Sequence, residues 1–251
     1  MISQNQIKYL KSLEQKKFRI KEKHIVLDGH RLIDEAINQK TIIEHIWISE
    51  KKSTDKKFIK KIESNKIQYS YEKEKELNKI SNTKNSQGIL ALISIENIYN
   101  SDLNKFQDKI VILDQISDPG NLGTIIRTCA WFGVNSIILC ENSADLFNNK
   151  CVRSAVGGHF HMKNIIYLPY HKINDFLKKS NLMVLHAAMD GKQISQLNIN
   201  QKWALILGSE AHGINKDLNV GTEITINGNS NMESLNVSIA CGILLNGLIN
   251  N

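Results

Sequence analysis

Three polar, glycine-containing segments in the second half of the sequence hold the residues best suited to chemistry. They are DPGNLGTIIR (118–127), LGSEAHG (207–213) and NMESLNVSIA (231–240). Each lies within a few residues of a short apolar run that predicts a buried strand. Loops at the carboxyl ends of strands are where α/β proteins bind ligands. The three segments together are therefore the candidate site.

The first segment places Gly120 and Gly123 at the mouth of a predicted helix, where backbone N–H groups and the helix dipole favour an anion. The two glycines half resemble a dinucleotide-binding fingerprint, although the G-x-G-x-x-G spacing is absent. Arg127 and Arg153 are two of only four arginines, against 28 lysines. This scarcity suggests sites that need planar, multidentate hydrogen bonding.

The second segment has a glycine at each end, Gly208 and Gly213. Glycine permits a close approach to the backbone, and Glu210 would place a carboxylate at the edge of the sheet. A plain glycine turn is the alternative interpretation. His212 is expected to be a solvated loop residue.

The third segment leads from a predicted strand into the last predicted helix. Ser234 is a plausible N-cap of that helix, which would explain this serine without a functional role. Capping does not explain Asn236 two residues later, and Asn is an indifferent helix former. A polar pair at a helix mouth beside a sheet edge therefore favours a site.

Apolar runs alternate with amphipathic stretches along the chain, which predicts an α/β protein with mostly parallel sheets. After an opening amphipathic helix, the first half has predicted strands over 24–29, 43–49, 66–70 and 88–95 and predicted helices over 30–37, 54–64 and 72–80. The second half has predicted strands over 109–114, 136–140, 164–168, 181–187, 202–208 and 223–226 and predicted helices over about 121–132 and 234–248. We predict one domain over 1–97, a linker over 98–108 and a second domain over 109–251.

The formal net charge of +7 lies entirely in the N-terminal part of the chain. Residues 1–98 contain 20 Lys and Arg against 13 Asp and Glu, whereas residues 99–251 contain 12 of each. A basic part joined to a neutral part suggests that the first binds a polyanion such as nucleic acid. A Lys-rich surface that is merely solvated is the alternative.

The cysteines form no C-x-x-C pair and have no metal-ligand spacing, so no metal site is predicted. They are Cys129, Cys140, Cys151 and Cys241. The N-terminus is basic but lacks the apolar stretch of a signal peptide, and no apolar run approaches the length of a membrane span. A cytoplasmic location is the expectation.

Taken in order, the three segments resemble the motifs of the SpoU (TrmH-like) branch of the SPOUT methyltransferases. NLGTIIRT (121–128) resembles the family pattern N-x-G-x-x-x-R. LILGSEAHGI (205–214) resembles G-x-E-x-x-G, and ESLNVSIA (233–240) resembles S-L-N-V-S-x-A. CVRSAVGGHF (151–160) is similar to the stretch between the first two motifs.

The resemblance extends to the first half and so covers nearly the whole chain. VLDGHRLIDEA (26–36) and SNTKNSQGILALI (81–93) resemble the two ends of a small RNA-binding domain similar to ribosomal protein L30e. The resemblance implies an L30e-like α/β domain followed by an α/β-knot catalytic domain with a trefoil knot. That order would explain why the positive charge lies in the first part.

The resemblance further implies an RNA ribose 2′-O-methyltransferase that uses S-adenosyl-L-methionine. Arg127 would fix the ribose hydroxyl or act as a base, with Asn121 holding its orientation; guanidinium stays protonated in proteins, which favours the first role. The residues expected to be catalytic are Asn121, Arg127, Glu210, Ser234 and Asn236. Those expected to bind the cofactor are Gly208, Gly213, Ile226 and Leu235.

The same family expectation makes the protein a homodimer that acts on ribosomal RNA of the large subunit rather than tRNA. One departure is Asn227, which stands where the family usually has proline. Proline would fix a backbone φ angle and remove an N–H donor, so the loop is expected to be more mobile here.

Two other functions fit parts of the sequence. A nicotinamide-dependent oxidoreductase would use the turn at 118–123 and an acidic residue about 20 positions on, near Glu141, but gives the later motifs no role. A non-enzymatic RNA-binding protein would need only the basic half, and leaves the polar residues of all three motifs unexplained.

Overall fold

The computed structural model describes residues 2–51, 55–83, 86–98, 102–106, 108–199, 202–209, 212–218, 220–228 and 234–250. In these residues the chain forms a four-stranded sheet in its first half and a six-stranded sheet in its second. The predicted α/β class is therefore confirmed.

The first half begins with two helices rather than one, because the chain turns at 13–15. Ile7 and Leu10 form the buried face of the first helix, and Leu13 follows it into the same cluster. The helices of this half are α1 (Gln4–Ser12), α2 (Lys16–Glu22), α3 (His30–Asn38), α4 (Lys56–Ser64) and α5 (Glu74–Leu77). Its strands are β1 (His24–Asp28), β2 (Ile43–Ser49), β3 (Tyr69–Glu72) and β4 (Ile89–Ser94).

The sheet of the first half has the order β1-β4-β2-β3, and the prediction that it is mostly parallel is wrong. β2 and β3 are parallel, but β4 runs antiparallel to both β1 and β2. The helices α3 and α4 are full crossovers, which keep β1, β2 and β3 in one direction. The last helix, α5, has four residues instead of the predicted nine. β4 pairs not with β3, the strand before it in the sequence, but with β1 and β2, and local patterns do not specify the direction of such distant pairings.

The sheet of the second half has the order β10-β8-β9-β5-β6-β7, and every strand pair in it is parallel, as predicted. The central strands β5, β6 and β9 are buried on both faces, as expected of a parallel sheet covered by helices. The strands are β5 (Lys109–Leu113), β6 (Ser136–Cys140), β7 (Asn164–Leu168), β8 (Met183–Gln193), β9 (Trp203–Leu207) and β10 (Thr222–Thr225). The helices are α6 (Pro119–Trp131), α7 (Asn149–Ala155), α8 (Tyr170–Lys179) and α9 (Val237–Asn250).

The two halves are packed against each other. The main hydrophobic core contains residues of both sheets. Arg19, buried in the first half, pairs with Asp145 in the loop after β6, and Glu35 Oε1 lies 2.8 Å from His161 Nε2. In the part of the chain that the structure describes, no helix has the length and apolarity to cross a membrane.

Candidate active site

The structure places the three motifs at one edge of the second sheet. The first motif follows β5, the second follows β9 and the third follows β10, and all these strands run in the same direction. Parallel strands end at a common edge, where α/β proteins bind ligands. The motifs therefore lie at the carboxyl edge of the sheet, as their positions after predicted strands indicated.

Asp118 begins the first motif and caps α6. Its Oδ1 accepts from the backbone N of Asn121 at 2.8 Å, and its Oδ2 accepts from Lys150 Nζ at 2.6 Å. The pKa of Asp118 is lowered, first by the Lys150 hydrogen bond and then by the Asn121 N–H. The helix therefore begins at Pro119, two residues before the predicted start. The chain's own carboxylate occupies the helix mouth, so the expectation of an open anion site there is wrong.

Arg127 is an exposed residue on a tightly held helix. A Cβ at Gly123 would lie 2.3 Å from the backbone oxygen of Cys151, and one at Gly158 would lie 3.0 Å from the Cα of Arg127. Only glycine allows both approaches, so α6 is wedged against α7 and the turn after it. The guanidinium has no hydrogen bond or ion pair with any residue that the structure describes. A rigid backbone thus carries a side chain that is free to meet a ligand.

Asn121 and Asn236 join the first and third motifs directly. Asn236 Nδ2 donates to Asn121 Oδ1 over 3.1 Å, although the residues are 115 positions apart. The Asn121 side chain thus accepts a hydrogen bond from the third motif. That Asn121 orients Arg127 stays a prediction.

Asn236 is also the N-cap of α9, which corrects the sequence interpretation. Its Oδ1 accepts from the backbone N of Ser238 at 3.0 Å and from the Ser238 hydroxyl at 2.6 Å. The helix begins at Val237, so Ser234 lies three residues before the first helical residue and cannot cap it. Ser234 is exposed.

The second motif closes on itself as a tight turn. Ser209 and Gly213 exchange backbone hydrogen bonds of 2.9 and 3.0 Å, and Gly213 has the positive φ of 65° that favours glycine. A Cβ at Gly208 would lie 2.3 Å from Gly213 carbonyl carbon, so this position also requires glycine. Glu210 lies outside the described residues, and His212 is exposed as expected.

The edge offers both open backbone and apolar side chains to a flat ligand. Apart from the chain neighbours of Gly213, no atom of the described residues lies within 4 Å of the position that a Cβ there would take. Leu235 is 48% exposed, and Ile226 is half-buried against the main core. Backbone N–H and C=O groups beside apolar side chains fit an adenine ring. Among the described residues, no group of three His, Cys, Asp or Glu could hold a metal ion.

A buried carboxylate that sequence reasoning missed ties the second motif to the sheet. Asp114, 1% exposed at the end of β5, accepts from the backbone N of Asn215 at 2.6 Å and from the Tyr170 hydroxyl at 2.9 Å. Gln115 Nε2 donates to the same hydroxyl over 2.7 Å. Burial raises the pKa of Tyr170. An acidic residue that directly follows an apolar strand was the signal in the sequence, since a buried charge needs partners.

Comparisons with known families agree with this geometry. Residues 108–246 match the profile of the SpoU rRNA Methylase family, and residues 4–91 match that of the MRM3-like substrate binding domain. The chain belongs to the SpoU rRNA methylase family, which confirms the resemblance drawn from its motifs.

Relatives cover most of the chain. The 23S rRNA (guanosine(2553)-2'-O)-methyltransferase RlmP of Bacillus subtilis is 29% identical over 242 residues, which are 95% of this chain and 94% of RlmP. The 23S rRNA (guanosine-2'-O-)-methyltransferase RlmB of Coxiella burnetii is 32% identical over 68% of this chain and 72% of its own.

Solved structures show the same fold. A putative RNA methyltransferase of the TrmH family from Porphyromonas gingivalis superposes with a TM-score of 0.83 and 25% identity over 99% of this chain and 98% of its own. An AdoMet-bound rRNA methyltransferase from Sinorhizobium meliloti has a TM-score of 0.85 and 23% identity over 100% and 97% of the two chains.

Proposed function

We propose that this protein transfers a methyl group from S-adenosylmethionine to a ribose 2′-hydroxyl of large-subunit ribosomal RNA. The observation that carries the proposal is the meeting of the motifs at one sheet edge, joined by the Asn236–Asn121 hydrogen bond. RlmP and RlmB, whose names state 2′-O-methylation of 23S rRNA, favour ribosomal RNA over tRNA. We place the protein in the cytoplasm.

The second and third motifs supply the cofactor-binding surface. S-adenosylmethionine, when bound, supplies a methyl group already activated on a sulfonium. The backbone at Gly208 and Gly213 would hold its polar groups, and Ile226 and Leu235 would pack against its base. The chain between β9 and α9 would thread the trefoil knot that shapes this surface.

Arg127 is the residue that we assign to the RNA. The transfer would form a bond between the ribose oxygen and the methyl carbon as the carbon–sulfur bond of the sulfonium breaks and leaves a neutral thioether. The hydroxyl proton would pass to solvent, so negative charge would develop on that oxygen. A guanidinium remains protonated and stabilises such charge. Its exposed position on a rigid helix suits it to fix the hydroxyl and a neighbouring phosphate. Glu210, Ser234 and the Asn121–Asn236 pair would complete the polar surround.

A second copy of the chain would cover an apolar face beside the site. The exposed fractions of Trp131, Ile239 and Ile243 are 85%, 55% and 45%. Trp131 ends α6, and the two isoleucines lie one turn apart on α9. The two helices are in contact, since a Cβ at Gly242 would lie 3.8 Å from Thr128. Large exposed apolar groups on adjoining helices favour a dimer formed by this face.

The test is methyl transfer by the purified protein. Labelled S-adenosylmethionine is supplied with unmodified 23S rRNA, 16S rRNA or tRNA, and modified nucleotides are identified by mass spectrometry. A single 2′-O-methyl mark in 23S rRNA is expected. Label only in tRNA would overturn the choice of substrate, and RNA binding without transfer to any of the three would overturn the enzymatic function.

A further inference from the structure

The neutral catalytic half contains a strongly basic groove at the edge of the sheet opposite the motifs. The groove has a volume of about 650 Å³ and is lined by Lys105, Lys109, Lys163 and Lys202, with Asp108 as the acidic residue among its described lining. These lysines lie at or before the beginnings of strands, whereas the motifs follow strand ends. Five strand residues separate the two edges by about 17 Å.

A second groove of about 520 Å³ adjoins the first and shares Lys202 with it. Lys172, Lys179 and Asp175, all on α8, line this part. The two grooves, which together we call the basal groove, thus contain six lysines and two aspartates among their described lining residues. Half of the twelve basic residues in 99–251 lie here, so the zero net charge of that part hides a local excess.

The lysines of the basal groove are poorly neutralised, and the backbone that carries one of them is held in place. Asn164 Nδ2 donates to the backbone oxygen of Lys105 at 3.1 Å and to Ser136 Oγ at 3.0 Å, which fixes the segment that carries Lys105. Lys202 approaches Asp108 at 3.7 Å, but both side chains are more than half exposed. The other five lysines have no ion pair with a residue that the structure describes. Gathered like charges repel one another unless an anionic partner neutralises them.

We infer that the basal groove binds the phosphate backbone of the substrate RNA, at a distance from the nucleotide that is methylated. The inference rests on the proposed function. Lysine ammonium groups bind phosphates without reading sequence, so such contacts position an RNA and raise its affinity. Ribosomal RNA is large enough to reach both edges of the sheet. The RNA would thus contact the basic first half, the motif edge and the opposite edge together.

The salt dependence of RNA binding tests this surface. The probe is a short RNA hairpin of fixed sequence, and the variant carries Lys105→Gln, Lys163→Gln and Lys202→Gln. The logarithm of the affinity falls as the logarithm of the salt concentration rises, and each lost phosphate contact should make this slope shallower by roughly 0.7–0.9. In the triple variant the magnitude of the slope should therefore fall by roughly 2.1–2.7, and the affinity should fall by roughly 50- to 150-fold at physiological salt. Its affinity for S-adenosylmethionine should not change.

Two neighbouring lysines of α8 give a matched control. Lys179 lines the groove and Lys178 does not, although both are exposed. Lys179→Gln should reduce the slope and Lys178→Gln should not; equal effects would mean that only net charge matters and would overturn the inference. An unchanged slope in the triple variant would also overturn it. Poly-glutamate serves as a second probe: a triple variant that loses binding to poly-glutamate but keeps its binding to the hairpin would overturn the inference too, because that result would indicate an acidic protein partner. Failure of the wild-type protein to bind the hairpin would instead contradict the proposed function.

Discussion

The Nδ2 of Asn236 donates a hydrogen bond to the Oδ1 of Asn121, and the Oδ1 of Asn236 at the same time caps α9. One side chain therefore fixes the start of the last helix and joins it to the first motif. The two functions use different atoms of the amide, so they can be separated by substitution.

Asn236→Asp should preserve the cap and remove the hydrogen bond that Asn236 donates to Asn121. A carboxylate still accepts from Ser238 but cannot donate to Asn121, whereas Asn236→Ala loses both contacts. We expect Asn236→Ala to lower the free energy of unfolding by about 1 kcal/mol more than Asn236→Asp, and both to reduce methyl transfer. Chemical denaturation and initial rates measure the two effects. Wild-type transfer by Asn236→Asp would show that the hydrogen bond donated by Asn236 is dispensable.

The buried carboxylate of Asp114 is expected to control cofactor affinity by holding the loop after β9. Asp114→Asn keeps the shape but weakens the bonds to Asn215 and Tyr170, so affinity for S-adenosylmethionine should fall about tenfold. Tyr170→Phe should have a smaller effect of the same kind. Isothermal titration calorimetry gives both affinities.

Tyr167→Phe is the matched control for that experiment. Its hydroxyl donates to the Ala144 carbonyl oxygen and accepts from the Leu146 backbone N, and both of these residues lie outside the loop after β9. Unfolding temperature should fall in both tyrosine variants, whereas cofactor affinity should fall only in Tyr170→Phe. Equal losses of affinity in Tyr167→Phe and Tyr170→Phe would show that Asp114 and Tyr170 stabilise the fold in general and do not control cofactor binding.

The proposed dimer face can be tested by charge insertion. Ile243→Lys places a charge in the middle of the apolar face, so the assembly should shift from dimer to monomer in sedimentation velocity. Ile42, which is 49% exposed in the first half of the chain, provides the control Ile42→Lys, which should leave the assembly unchanged. A wild-type monomer at micromolar concentration would refute the dimer.

Acid should destabilise the fold through His159. Burial lowers the pKa of this imidazole from 6.5 to about 4, and its Nε2 lies 2.8 Å from the Leu146 carbonyl oxygen. The unfolded chain therefore binds more protons between pH 6.5 and about 4, and stability falls as pH drops through that window. The loss from this group approaches about 3 kcal/mol.

His159→Gln can keep the bond to Leu146 without titrating. Its stability relative to the wild type should therefore improve as pH falls from 7 towards 4, as measured by thermal unfolding at each pH. His171→Gln, at an exposed position of α8, should follow the wild type throughout. A constant difference between His159→Gln and the wild type would exclude this role for His159.

The sequence predicted what depends on short apolar runs and missed what depends on distant contacts. Strands such as β2 and β6 and the parallel order of the second sheet follow from local patterns. The reversed direction of β4 does not, because β4 pairs with β1 and β2, which are distant from it in the sequence. The cap at Asn236 was misassigned because Ser234 is an equally good local candidate, and only the start of α9 distinguishes them. The prediction of domain limits at 97 and 109, and of no metal, stays a prediction.

Methyl transfer by Arg127→Ala tests the central claim most directly. Single-turnover transfer to 23S rRNA is measured together with the affinity for S-adenosylmethionine. The proposed role predicts that transfer falls about 100-fold or more while cofactor affinity changes less than about threefold, and that Arg127→Lys restores little because it lacks the planar fork. Transfer at the wild-type rate by Arg127→Ala would contradict the assignment of this residue to the reaction.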